Sequence, residues 1–113
     1  MYWAADCFAS LLPGEATEAD DVPYELWEGT FLHFSSLISP WLAYVDQAKY
    51  EAAIDRVERL DATAVVGGHM AALRGERLAK SFELLRRVPQ MDAAVEPGQA
   101  DLDAMLALAL TPA

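Results

Sequence analysis

"AVVGGHMAALRGE", residues 64–76, is the stretch on which the fold turns. A β-branched apolar run closes on two glycines and a histidine, then passes into an amphipathic segment. Read with the two residues before it, "ATAVVGG" at 62–68 predicts a buried strand of about five residues. The start of the chain has the same shape. In "MYWAADCF", residues 1–8, Tyr2–Ala5 predict a short buried strand with Asp6 at its C-terminal end. Two strand ends, one bearing a carboxylate and one an imidazole, present two residue types that ligate metals.

Helices are expected between and after these strands. Residues 9–22 read as a loop, with a Pro13-Gly14 turn and the acidic cluster "GEATEADD". Pro23 suits the first position of a helix, because its missing N–H would be unpaired there in any case. From there Tyr24, Trp27, Phe31, Phe34 and Ile38 recur at spacings of 3 and 4, the seam of a helix burying one face. Phe8, Leu26 and Leu37 widen that surface. Ser39-Pro40 ends the helix, since the residue before a proline avoids helical angles. A second helix is predicted over 41–60, with Tyr50, Ala53, Ile54, Val57 and Leu60 inward. A third is predicted over 75–88, with Leu78, Phe82, Leu85 and Val88 inward and Pro89 at its end. Pro97-Gly98 precedes a last helix over 99–110, whose apolar face is Leu102, Met105, Leu106 and Ala109.

Composition excludes several classes of function. The chain has 113 residues, the size of one domain, and its 54% hydrophobic and 23% charged content is that of a folded protein. Its net charge of −10, from 8 Lys and Arg against 18 Asp and Glu, repels nucleic-acid phosphates and anionic membranes. No apolar run is long enough for a membrane span, and no secretory signal opens the chain, so a cytoplasmic location is expected. One cysteine excludes an internal disulfide. There is no nucleophile elbow, glycine-rich phosphate loop or Cys-x-x-Cys pair.

Taken singly, Asp6 reads better as a turn or helix cap than as a ligand, and His69 better as a hydrogen-bonded loop residue. Together, "YWAADCF" and, 63 residues on, "ATAVVGGHMAALRGE" resemble the C-terminal part of a metallo-β-lactamase-fold protein. The intervening "ISPWLAYVDQAKYEAAIDRVERL" is most similar to the flavodiiron and oxygen-binding di-iron branch. The resemblance covers residues 2–88. It implies a partial αββα sandwich of α/β class, helix-rich with few strands. The whole of 1–113 would then be one domain, family-like over 1–89 and ending in a helix and tail over 90–113.

The resemblance also implies a dinuclear metal site of iron, or of zinc, in which Asp6 bridges the ions and His69 binds one of them. Such sites take about six protein ligands. The family's histidine cluster has no counterpart here, because His33 and His69 are the only histidines. Met70 also stands where the family often has glycine. The expectation is therefore the C-terminal half of a domain whose first half lies upstream, inactive alone and holding no metal pair by itself. It should form a homo-oligomer or associate with the missing half. A di-zinc hydrolase acting on an ester, thioester or lactam is the alternative within the superfamily; a metal-free helical interaction module is the alternative outside it. Among the remaining candidates, His33 is expected to be partly buried and hydrogen-bonded, and Cys7 to be a small buried apolar residue. Trp3, Trp27 and Trp41 are expected in core or interface positions.

Overall fold

The computed structural model describes residues 1–5, 7–10, 17–68, 71–92 and 98–110. Asp6, the Pro13-Gly14 turn, His69, Met70 and Pro97 lie outside the described residues. The described chain is α/β and helix-rich. Its strands are β1 (Tyr2–Trp3), β2 (Ala64–Val66) and β3 (Leu73–Arg74), and its helices are α1 (Tyr24–Ile38), α2 (Gln47–Glu58), α3 (Gly75–Arg87) and α4 (Gln99–Ala109). The sheet has the order β1-β2-β3, with β1 parallel and β3 antiparallel to β2.

Register explains which side of the sheet is covered. Tyr2, Val65 and Leu73 stand side by side across the strands, and Val65 and Leu73 are fully buried. One step along, side chains point the other way. There Trp3 is 65% exposed and Arg74 is exposed, while Ala64 is buried. The face carrying Val65 and Leu73 joins one core with Trp27 and Phe31 of α1, Ile54 of α2 and Leu78, Phe82 and Leu85 of α3. Phe8 and Phe82 meet edge to face at 5.6 Å between ring centroids, which ties the turn after β1 to α3.

The α1 seam forms as its spacing predicts, with Trp27 and Phe31 at its centre and Tyr24 partly buried beside them. Pro23 is the cap rather than the first helical residue, and its carbonyl accepts from the Trp27 N–H at 3.1 Å. Leu32 and Ser35 are also buried, whereas Leu26 is exposed. The 41–60 helix is corrected to two pieces. A 3-10 turn runs Pro40–Tyr44, and Asp46 then starts α2 afresh by accepting the Lys49 N–H at 3.1 Å. A side-chain oxygen capping an otherwise orphaned N–H favours a new start there over a continuous helix. Leu60, expected inward, lies past the end of α2 and is exposed.

Two further corrections follow from backbone pairing and from patterning. The loop before α1 is partly fastened, because Ala72 donates to Thr17 and accepts from Ala19 at 2.8 and 2.9 Å. β3 went unread because two residues carry no period. Gly75, with φ +54°, turns the chain from β3 into α3 through a conformation that a side chain would strain. The predicted apolar face of α4 is not buried, since every residue of this helix is exposed. Leu108 and Leu110 flank Leu102, Met105 and Leu106, so its apolar surface runs round the helix rather than along one stripe.

Candidate functional site

Asp6 and His69 lie outside the described residues, but the strands that lead to them do not. β1 and β2 pair with an offset of 63 residues, Tyr2 opposite Val65 and Trp3 opposite Val66. The ladder continues past both strands: the Ala4 N–H donates to the Val66 carbonyl at 2.8 Å, and the Gly68 N–H to the Ala5 carbonyl at 2.9 Å. The residues immediately preceding the two candidates are thus hydrogen-bonded to each other. The backbone around position 6 is unusual as well. Ala5 and Phe8 both have left-handed φ, 53° and 61°, and the Cys7 N–H turns back onto the Ala4 carbonyl at 3.0 Å. Left-handed non-glycine residues cost energy and collect where structure serves function.

The other candidates are redistributed. His33 is exposed, not partly buried, because it falls on the outer side of α1, and its carbonyl accepts from Ser36 Oγ at 2.8 Å. Cys7 is exposed rather than a buried apolar residue, although the apolar groove it borders strips water from the thiol and pushes its pKa up. Trp27 is a core residue. Trp3 and Trp41 are 65% and 61% exposed, so neither is in the core. Among the described residues, no group of three or more His, Cys, Asp or Glu is placed to hold a metal ion.

Two arrangements were not read from the sequence. The first is a cavity of about 560 Å³ between α1, the Pro40–Tyr44 turn, α2 and α3, walled by Phe8, Phe34, Ile38, Leu42 and Leu85, with Trp41 beside them. Its polar edge includes Ser35 and Tyr50. A serine on an otherwise apolar helix seam was the available signal.

Tyr50 owes its place to a proline. The carbonyl of Leu85 would normally accept from residue 89, but Pro89 has no N–H to give. Val88 donates to it instead, and the Tyr50 hydroxyl adds a second bond at 2.7 Å. Burial pushes the Tyr50 pKa up to about 12 from 10.0, with Cys7 adding a smaller upward push. Ultraviolet titration of the four tyrosines should show one phenol ionising near 12, absent from Tyr50→Phe. Between pH 10 and 12 the unfolded chain releases a proton that the folded chain keeps. Stability therefore falls over that window and owes nothing to this group's titration below it. Tyr50→Phe should cost about 1 kcal/mol at neutral pH.

The second arrangement is built on Arg77. Its guanidinium donates to the carbonyls of Ala19 and Val22 at 2.5 and 3.0 Å and lies 5.5 Å from the ring centroids of both Tyr24 and Trp27. Asp20 sits 3.6 Å from its Nε. It fastens the segment before α1 onto α3 and is a structural clamp.

Comparison with family models, with curated proteins and with solved structures gives no match. No helix among the described residues is long and apolar enough to cross a membrane.

Proposed function

We propose that the chain is the C-terminal part of a metallo-β-lactamase-fold metalloprotein, of the branch that binds two irons and acts on dioxygen or nitric oxide. The observation that carries this reading is the parallel β1–β2 ladder. Its 63-residue offset equals the separation of Asp6 and His69, and its last bond joins the residues just before them. A parallel pair presents both C-terminal ends on one edge of the sheet, where α/β folds put their sites. The left-handed residues Ala5 and Phe8 on either side of Asp6 add support.

In the assembled domain Asp6 would bridge the two ions and His69 would bind one. Bound metal would supply Lewis-acid and redox chemistry. Two ligands do not make a dinuclear site, so no reaction step follows from this chain alone. The complementary half would supply the remaining ligands and cover the sheet face on which Trp3 lies exposed. β1 is an edge strand able to accept a further strand. A cytoplasmic location goes with this reading.

The test is reconstitution with the N-terminal half of a di-iron protein of this fold, followed by elemental analysis of the purified pair. Two metal ions per pair are expected. His69→Ala should lower occupancy while circular dichroism stays unchanged, and Asp6→Ala should lower it at least as far, because two nearby cations lose the anion between them. His33→Ala, on the exposed side of α1, should leave it unchanged. Iron in the site supports the oxidoreductase branch, and zinc the hydrolase alternative. Metal lost with His33→Ala but kept with His69→Ala would overturn the assignment.

A further inference from the structure

The cavity walled by α1, the Pro40–Tyr44 turn, α2 and α3 holds one buried polar group that no described residue satisfies. Ser35 is 5% exposed, lines the cavity, and its Oγ has no hydrogen-bond partner. Helical hydroxyls normally bond back to a carbonyl of the preceding turn. The other serine and threonine hydroxyls on the described α-helices do so: Thr30 to Leu26 and Trp27, Ser36 to His33, and Ser81 to Leu78. Ser35 is the exception, and it is the one of these that borders the cavity. Leaving a buried hydroxyl unpaired is costly, so a molecule that pairs with it gains affinity over one that cannot.

The rest of the lining fixes the kind of molecule. Among the described residues no Lys, Arg, Asp or Glu lines the cavity, so an ion placed there would lose its hydration with no counter-charge from them. Anions are further opposed by the net charge of −10. The Tyr50 hydroxyl spends its proton on Leu85 and keeps lone pairs that can accept from a ligand O–H. The volume lies within the usual range for small-molecule pockets, with room for on the order of 10–20 non-hydrogen atoms.

We propose that this cavity binds an uncharged amphiphile, an apolar body carrying a single hydroxyl or carbonyl oxygen that pairs with Ser35.

The test is titration of the 113-residue chain with 1-nonanol and with nonanoate, followed by calorimetry and by amide chemical shifts. Nonanol should bind saturably at one equivalent, shift amides across 34–42, and bind at least tenfold more tightly than nonanoate. Ser35→Ala should weaken nonanol about three- to tenfold. Ile38→Trp should abolish binding by filling the space; if circular dichroism shows that variant unfolded, Leu42→Trp replaces it. Non-saturable uptake, equal affinity for nonanoate, or indifference to Ser35→Ala or to a folded filling variant would overturn the proposal. So would binding that emerges only in Leu106→Asp, since the cavity would then belong to α4 of the same or a second copy.

Discussion

Trp27→Ala should lose about 4 kcal/mol in equilibrium denaturation and leave a chain close to unfolding. The indole is fully buried, tilted against Phe31 at 5.4 Å and Tyr24 at 5.6 Å between ring centroids. Truncating a buried aromatic to alanine costs about 3–5 kcal/mol, the removed surface and the remaining cavity together. Whole domains are stable by only about 5–15 kcal/mol, so this is a large share. The indole N–H makes a sharper comparison possible. It is buried without an acceptor among the described residues, so phenylalanine loses volume but also removes an unsatisfied donor. Trp27→Phe should therefore cost less than half as much as Trp27→Ala. A denaturation midpoint for Trp27→Ala equal to that of the parent chain would remove Trp27 from the centre of the core.

Arg77→Ala should cost about 2–4 kcal/mol and should open residues 17–22 to proteases. Three effects act together: two charge-assisted bonds to Ala19 and Val22 disappear, their carbonyls lose a donor, and the cation leaves the faces of Tyr24 and Trp27. Asp20 adds little, because it is largely exposed. Arg77→Lys should recover less than half the loss, as one ammonium cannot reach two carbonyls in a fork. Limited proteolysis with mapped cleavage sites checks the local effect. Since Arg77 touches the Trp27 ring, the two alanine substitutions should be non-additive by about 0.5–2 kcal/mol in a double-mutant cycle. Strict additivity would mean that the guanidinium and the indole do not interact.

The helices were legible because their signals repeat. Trp27, Phe31, Leu78, Phe82 and Leu85 recur at helical spacing and lie in one core. What escaped lacks a period or depends on distant partners. β3 is two residues long, the break at Val45–Asp46 rests on a single capping carboxylate, and Ala72 pairs with residues 17–19 far upstream. Arg77 was one charge among several on α3; its role depends on carbonyls more than fifty positions away. α4 misled for the opposite reason. Its apolar residues imply burial, yet they surround the helix and the described chain leaves them exposed. For the candidate metal residues the sequence supplied residue type and spacing, and the fold adds the ladder that brings their neighbours together.

The parallel pairing of β1 with β2 also sets an order of events. Every bond of that ladder spans 62 or more positions, so β1, although made first, has no β2 to join until residue 68 has emerged. At about 5–20 residues per second, a ribosome takes roughly 3–13 s to make the intervening chain. The α1 and α2 helices, whose backbone bonds are local, need no such wait. Closing so long a loop is slow in entropic terms, and for those seconds Tyr2 and Trp3 form an apolar segment without its β2 partner. The nascent chain is thus most prone to mispairing at β1, and a chaperone acting during synthesis would find its substrate there.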